Sequence, residues 1–106
     1  MKRDIFQAIA DPTRRAILLL IATQALTPNA LAQEFHTTRQ AVSKHIKILN
    51  ECELLQQEKV GREIYYSLKV EKMKEVELWI HKFKQFWEDR FDNLDAYLEN
   101  IQKDKT

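Results

Sequence analysis

A run of basic and amide side chains between residues 39 and 50 is the part of this sequence best suited to bind another molecule. On a helix of about 3.6 residues per turn these side chains share one side. They are Arg39, Gln40, Ser43, Lys44, Lys47 and Asn50. No Asp or Glu lies between Glu34 and Glu51, whereas a solvated helix face usually mixes both signs of charge. The pattern predicts a helix that contacts a polyanion, and Arg39 and Gln40 in its first turn suit guanine and adenine in the DNA major groove.

A hairpin with a basic tip is predicted after this helix. Residues 63–68 are rich in strand-forming types, residues 54–59 are read as the strand that pairs with them, and the three-residue turn between the two holds Gly61, the only glycine of the chain. Lys59 and Arg62 lie at the tip, where they suit phosphate groups. The residues predicted to contact DNA are Thr38, Arg39, Gln40, Ser43, Lys44, Lys47, Lys59 and Arg62.

The order of the elements that position these residues defines the fold class. Asp-Pro and Thr-Pro pairs, which place a cap and a proline at a helix start, mark two of the helices. Helices are predicted at residues 4–9, 12–23, 28–35 and 39–51, with Thr38 as the cap of the last. Arg14 and Arg15, near the start of the second helix, are left for solvent or a phosphate. Helix, short polar turn, helix and ribbon together predict a mostly α fold with a small β-hairpin, the winged helix-turn-helix.

The last third of the chain is predicted to be one long amphipathic helix, because apolar residues recur at spacings of three and four from Met73 to Ile101. About 30 helical residues extend about 45 Å, beyond what a body of about 70 residues can cover. A second copy of the chain must cover the rest, so the fold is predicted to be dimeric through its terminal helices. The predicted dimer interface comprises Phe6, Ile9, Trp79, Ile80, Phe83, Trp87, Phe91, Leu94 and Leu98.

Length, charge and cysteine content limit the classes of protein open to this chain. Its 106 residues suffice for one domain, with a DNA-binding core at 1–70, a dimerisation helix at 71–101 and a tail at 102–106. The net charge of +1 hides an asymmetry, since residues 1–70 carry 10 Lys and Arg against 7 Asp and Glu, and the remainder carries 7 against 9. Cys52 alone forms neither an internal disulfide nor a zinc scaffold. No apolar run approaches the ~18 residues of a membrane span, so we expect a cytoplasmic protein without a membrane partner.

Three segments of the sequence closely resemble the ArsR/SmtB repressor family: residues 10–18 (ADPTRRAIL), 42–49 (VSKHIKIL) and 61–68 (GREIYYSL). The resemblance covers about residues 3–70. It implies a homodimeric bacterial repressor that binds an operator in double-stranded DNA and whose recognition helix is residues 39–50. The residues that match the helix and wing motifs of the family are Ser43, Lys44, His45, Gly61 and Arg62.

The sequence departs from the metal-sensing members of that family. Those members carry a Cys-x-Cys-type motif in the helix before the recognition helix, or Asp/His and His/Glu pairs on the last helix. Here residues 30–35 read ALAQEF, without a thiolate, and His81 is the only histidine of the last helix. Two ligand pairs between chains therefore cannot be assembled. The resemblance is to the metal-independent branch, with no metal site and no cofactor.

Three other functions compete with that of a DNA-binding repressor without an effector. An enzyme is excluded, because paired carboxylates, an activated nucleophile, a glycine-rich phosphate loop and a metal cluster are absent from the sequence. A winged helix that binds another protein would tolerate loss of the basic face, which is intact here. A repressor that senses a small apolar ligand in a pocket under Trp79, Phe83 and Trp87 stays open, with the effector and the operator unidentified. His45 is interpreted as structural or phosphate-positioning, and Cys52 as a small buried hydrophobe.

Overall fold

The computed structural model describes residues 4–104, with side chains through residue 102. Its helices are α1 (Ile5–Ala8), α2 (Pro12–Ile21), α3 (Pro28–Glu34), α4 (Arg39–Glu51) and α5 (Lys74–Asp104), and its strands are β1 (Leu55–Val60) and β2 (Glu63–Leu68). A 3₁₀ turn, Val70–Met73, precedes α5. The two strands pair in antiparallel fashion. The predicted fold class, mostly helical with a small β-hairpin, is confirmed.

Side-chain caps fix the starts of α2, α3 and α4. Asp11, Thr27 and Thr38 each precede one of these helices. Each accepts a hydrogen bond from the backbone N–H three residues further on, at 2.9, 3.1 and 3.1 Å. Such a bond satisfies one of the donors that a helix start leaves without an intrahelical partner. The predicted starts agree with the structure, whereas α2 ends at Ile21 and α3 at Glu34, slightly before their predicted ends.

Arg14 and Arg15 bind the backbone between α1 and α2. The Nε atom of Arg14 donates to the carbonyl oxygen of Ala8 at 2.7 Å, and Nη1 of Arg15 donates to that of Ile9 at 2.8 Å. Carbonyl groups at the C-terminal end of a helix lack intrahelical donors, so the two guanidinium groups satisfy the end of α1. The expectation that these arginines are left for solvent or a phosphate is therefore corrected.

The chain divides into two compact units, Met1–Lys74 and Glu75–Thr106. In the first unit α3 packs against α4, and α2 packs against α4 and β2. The largest fully buried side chains of this core are Ile17, Ile21, Leu31, Val42, Leu49 and Leu54. α4 buries Val42, Ile46 and Leu49 on one side. The other side of α4 is left to solvent, which brings the predicted basic face to the surface.

The hairpin closes through two residues rather than the predicted three. Val60 pairs with Glu63, so Gly61 and Arg62 form the turn, and Gly61 has a φ of +64°. Turns of this length require the left-handed backbone region, which glycine adopts without strain. The single glycine of the chain therefore lies in the turn of the hairpin, which is the wing of this fold.

A backbone bridge fastens the hairpin to the helical core. Leu26, just before α3, exchanges two hydrogen bonds with Tyr66 of β2, at 2.9 and 2.8 Å. The bridge uses the edge of β2 that β1 leaves unpaired. It was not predicted, because a single pair of residues leaves no periodic pattern in the sequence. Its consequence is that the start of α3 lies beside the wing.

α5 is a single helix of 31 residues. It begins at Lys74 rather than at residue 71, because Val70–Met73 form the 3₁₀ turn, and it continues to Asp104 rather than to residue 101. The last two residues of the predicted tail lie outside the described part of the chain. Aromatic rings stack along the helix, with the ring centroids of Trp79 and Phe83 5.3 Å apart. Within residues 4–104 no helix is both long and apolar enough to cross a bilayer.

Asp11 makes the stability of the first unit dependent on pH. The backbone N–H of Arg14 lowers the pKa of this carboxyl below its ordinary value of 3.8. A carboxyl whose pKa is lower in the folded chain stabilises the fold above its unfolded pKa. That contribution is lost as the pH falls through the folded pKa. We expect Asp11→Ala to lower the free energy of unfolding by about 1 kcal/mol at neutral pH, and this deficit to shrink below about pH 4.

Urea unfolding at a fixed protein concentration, between about pH 7 and about pH 3, measures this deficit. Asp11→Asn is the matched control, because asparagine caps helices as well as aspartate but carries no charge to titrate. It should keep most of the stability at neutral pH. A deficit of Asp11→Ala that stays the same across the pH range would contradict the role assigned to the carboxylate.

Candidate nucleic-acid interface

The outward side of α4 carries most of the residues predicted to contact DNA. The exposed residues of this side are Arg39, Gln40, Ser43, Lys44, Lys47 and Asn50. Glu51, the last residue of the helix, is its only acid. The side therefore presents cations and hydrogen-bond donors with no carboxylate of α4 among them. Phosphate groups and base edges require such a surface.

A tight turn joins α3 to α4. His36 has a φ of +50°, in the left-handed region, and the N–H of Thr37 donates to the carbonyl oxygen of Ala32 at 3.0 Å. These two features end α3. Thr38 then begins α4, since its oxygen accepts the N–H of Ala41 at 3.1 Å. The hydroxyl hydrogen of this exposed threonine can still be donated to a phosphate.

A polar cleft of about 370 Å³ lies between α4 and the hairpin. Arg39 and Ser43 line it from α4, Arg62 and Glu63 from the hairpin, and Asn29 from the start of α3. A guanidinium from the helix and one from the wing thus share one concave surface. Two cations that face the same cleft raise its attraction for a polyanion.

Of the residues that line this cleft, only Arg39, Ser43 and Arg62 were predicted to contact DNA; the residues not predicted are Thr27, Pro28, Asn29, Glu63, Ile64 and Tyr66. Asn29 reaches it because the bridge between Leu26 and Tyr66 holds the start of α3 beside β2. No local pattern marks that placement. The sequence does contain a signal for Glu63, because this acid directly follows the basic residue of the hairpin turn.

The wing cations Lys59 and Arg62 are both exposed but occupy different places. Arg62 belongs to the two-residue turn and lines the cleft. Lys59 lies on β1, opposite Ile64, and is not part of the cleft lining. Arg62 is therefore the wing residue that the structure brings together with Arg39.

His45 and Cys52 contact the N-terminal elements rather than the outward side of α4. The Nδ1 atom of the half-buried His45 lies 4.0 Å from Oδ2 of Asp11, which is too far for a hydrogen bond. The Sγ atom of Cys52, which is buried, donates to the carbonyl oxygen of Asp4 at 3.6 Å. The interpretation of Cys52 as a small buried side chain agrees with this position.

The described residues offer no clustered metal ligands, because no three His, Cys, Asp or Glu side chains within residues 4–104 are grouped as a metal ion would need. Leu31 and Ala32 occupy the segment in which the metal-sensing members carry thiolates, and both are buried. His81 is exposed on α5. Independence from metals stays a prediction.

The residues predicted for the dimer interface lie in both units. Phe6 and Ile9 of the first unit are half-buried. The predicted members on α5 are between 38% and 57% exposed: Trp79, Ile80, Phe83, Trp87, Phe91, Leu94 and Leu98. Phe86 and Tyr97 share this exposed side and were not predicted, although their spacing of three from Phe83 and Leu94 places them there. Their contacts across a dimer stay a prediction.

An exposed basic helix, preceded by a helix and a tight turn and followed by a basic hairpin, defines a winged helix-turn-helix protein of the DNA-binding class. Comparison with known proteins supports this class. Residues 9–58 match a family model described as a helix-turn-helix domain. Over 80 residues the chain is 34% identical to the transcriptional repressor SdpR of Bacillus subtilis, which covers 76% of this chain and 89% of SdpR.

Comparison with solved structures identifies the family of this chain. An ArsR family transcriptional regulator is 32% identical with a TM-score of 0.69, and the match covers 83% of this chain and 97% of that one. The homodimeric winged helix-turn-helix domain of a possible ArsR-family regulator from Mycobacterium bovis is 20% identical with a TM-score of 0.63. This match covers 76% and 75% of the two chains and shows the fold alone. The chain belongs to the ArsR/SmtB family of helix-turn-helix transcriptional regulators, as its sequence motifs predicted.

Proposed function

We propose that the protein is a homodimeric transcriptional repressor that binds an inverted-repeat operator in double-stranded DNA and responds to no metal ion. The observation that carries this proposal is the acid-free outward side of α4, whose Arg39 shares a cleft with Arg62 of the wing. The first unit, through the 3₁₀ turn, forms the DNA-binding core, and α5 (Lys74–Asp104) forms the dimerisation helix. The function has no catalytic step and uses no cofactor, and its place is the bacterial cytoplasm, where the DNA is.

Base reading belongs to the first turn of α4 in this proposal. Arg39 and Gln40 are exposed there, and their side chains suit guanine and adenine in the major groove. Thr38, Ser43, Lys44 and Lys47 anchor phosphates around them. In this proposal the wing residues Lys59 and Arg62 also anchor phosphates, at a neighbouring part of the duplex. A partner protein in place of DNA would not need a helix side without acids, so the protein-interaction function is less well supported.

Dimerisation is supported by the exposed apolar side of α5. Its exposed aromatic and aliphatic residues form a larger apolar surface than monomeric proteins usually leave in water. The M. bovis neighbour with the same fold is described as homodimeric. A two-fold dimer presents two recognition helices in opposite senses, which is why its operator should be an inverted repeat with half-sites about one helical turn or more apart.

Metal independence is supported by the sequence and the packing of α3. Leu31 and Ala32 are core residues at the segment where metal-sensing members carry thiolates. Repression is supported by the kind of relative, since SdpR is a transcriptional repressor. A chain that binds DNA and dimerises blocks a promoter by occupying it, without any contact to polymerase.

A reporter experiment tests repression and metal independence together. Genomic fragments of the source that the purified protein retains, identified by sequencing, supply the operator, which is placed over a reporter promoter. Supplying the protein should lower reporter output by at least about tenfold, and zinc, cadmium or arsenite should leave it low. The double variant Arg39→Ala, Gln40→Ala is the control that should not repress.

The outcomes separate the two parts of the proposal. A reporter that rises when the protein is supplied contradicts repression. A reporter that falls but recovers on addition of one metal leaves repression standing and shows that a metal site exists. Failure of the control variant to relieve repression would contradict the role of α4.

A further inference from the structure

A second polar cleft borders α4. Its volume is about 340 Å³, and its lining residues are Thr13, Phe35, His36, Thr37, Ala41 and His45. At about 100° per residue, Ala41 and His45 lie about 160° around the helix from the residues of α4 that line the cleft containing Arg62. The two clefts therefore flank the outward side of α4.

A helix in the DNA major groove has a phosphate backbone on each flank, because the groove is about 12 Å wide and a helix with its side chains is about 10–12 Å across. The cleft containing Arg62 suits the backbone on the side of the wing. The second cleft lies on the flank that meets the other backbone. It offers imidazole and hydroxyl groups, and none of its described lining residues is an acid. Its chemistry suits a phosphate group.

The imidazole ring of His45 connects this cleft to the start of α2. Its Nδ1 atom is buried and lies 4.0 Å from Oδ2 of Asp11, and it has no hydrogen-bond partner within the described part of the chain. The side chain as a whole is 25% exposed and lines the cleft. Nε2 is therefore the ring nitrogen that is available to a ligand in the cleft.

A phosphate in the cleft would place the ring of His45 between two anions. The backbone N–H of Arg14, followed by the nearby charges of Arg14 and His45, lowers the pKa of Asp11 below its ordinary value, so this carboxylate is ionised at neutral pH. Only an imidazolium, which has a donor on each nitrogen, complements an anion on both sides. Phosphate binding in this cleft is thus coupled to the uptake of a proton.

The charged and titratable groups that face His45 from the neighbouring described elements are Asp11, at the start of α2, and His36, in the turn after α3. The guanidinium of Arg14 is directed away, because it binds the backbone at the end of α1. The only acid of α4 is its last residue. His36 is exposed and shares the cleft, so a second imidazolium can contact the same phosphate.

We propose that this cleft binds one phosphate group of the operator backbone, which His36 and His45 contact as imidazolium rings and Thr13 and Thr37 contact through their hydroxyl groups. Asp11 is a positioning residue behind His45. The inference rests on the proposed function and adds to it a proton-linked anchor on the flank of α4 away from the wing. Histidine changes its charge between about pH 5 and 8, so operator affinity falls as the pH rises through that range.

Fluorescence anisotropy on labelled operator, at constant ionic strength, measures this dependence. The original chain should bind at least about tenfold more weakly at pH 8 than at pH 6, since each dimer has two such clefts. His45→Gln should bind as the original chain does at pH 8 but more weakly at pH 6, because glutamine gains no charge. Asp11→Asn, which keeps the helix cap, should also reduce the difference between the two pH values. His81→Gln, the same change at the histidine on α5, is the matched control and should keep the full difference.

His36→Asn tests the cleft independently of the packing around His45. This residue is exposed and has a φ of +50°, which asparagine tolerates, so the fold should not change. The variant alone should reduce the pH dependence, and together with His45→Gln it should abolish it. A purely structural role of the two histidines would instead weaken binding by the same factor at pH 6 and pH 8.

A methylphosphonate, which removes the charge of one backbone phosphate, identifies the group that the cleft binds. At one position of each half-site it should weaken the original chain at pH 6 at least about tenfold, and His45→Gln no more than about twofold, because the variant has already lost that contact. Inorganic phosphate in place of chloride, at equal ionic strength, tests a free phosphate as the other source of the same chemistry. It should leave operator binding unchanged.

The outcomes distinguish the cleft from the proposed function. Operator binding that does not depend on pH, or a dependence that His45→Gln and His36→Asn keep in full, overturns the phosphate site and leaves the repressor standing. Competition by inorganic phosphate that His45→Gln abolishes overturns the assignment to the DNA backbone. An original chain that retains no genomic fragment at either pH overturns the proposed function itself.

Discussion

A chain with both Phe83→Glu and Trp87→Glu should be monomeric and should bind its operator at least about 100-fold more weakly than the original chain. The two residues lie one helical turn apart in the middle of the apolar side of α5, and their ring centroids are 5.7 Å apart. Carboxylates at both positions of both copies place like charges in a contact that would exclude water. A monomer then meets one half-site at a time and loses the ~10²–10⁴-fold gain of linked binding.

Light scattering and fluorescence anisotropy on labelled operator measure the two effects. The double variant Gln85→Glu, Ala96→Glu is the matched control, because it adds the same charge to exposed positions on the polar side of α5. It should stay dimeric and bind DNA nearly as well as the original chain. A monomeric original chain, or a Phe83→Glu, Trp87→Glu chain that stays dimeric, would show that α5 is not the dimer contact.

α4 is the element that the sequence predicts most completely. Its cap at Thr38, its buried stripe through Val42 and Leu49 and its acid-free opposite side are all local properties, each repeated over several turns. A periodic pattern of this kind determines which side of a helix is buried before any partner is known. The positions of Arg39 and Gln40 on the exposed side follow from it directly.

The features that escaped prediction depend on contacts between segments distant in sequence. From the sequence alone Arg14 cannot be told from any other exposed cation. Its role follows from the contact of its guanidinium with the carbonyl oxygen of Ala8 at the end of α1. Leu26 and Tyr66 form a bridge across 40 positions of the chain, and no spacing rule links them. Asn29 enters the cleft between α4 and the hairpin only as a result of that bridge. The candidate interface was thus predictable on α4 and at the wing tip, but not in the cleft between them.

Base reading and phosphate anchoring should separate when binding is measured against salt. Gln40→Ala should cost about 1 to 3 kcal/mol per half-site on the best operator and relax the base preference at particular positions, because it removes a bidentate partner of adenine. Its salt slope should not change, since the side chain is uncharged. Lys59→Ala or Arg62→Ala should instead weaken binding to all sequences alike. The slope should fall by about 0.9 for each lost phosphate contact, doubled because the dimer carries two wings.

The structure provides a control variant for this experiment and predicts different effects for the two wing residues. Glu63→Gln, which removes the acid that lines the cleft beside Arg62, should strengthen binding to random duplex and steepen the salt dependence. Arg62, in the cleft shared with Arg39, should also show a preference for A·T-rich flanks if it enters the minor groove, whereas Lys59, outside that cleft, should show none. Affinities for operator and random duplex at four or more salt concentrations, for each variant, provide the comparison. If the wing variants lost only operator binding while Gln40→Ala weakened both duplexes equally, the roles of helix and wing would be reversed.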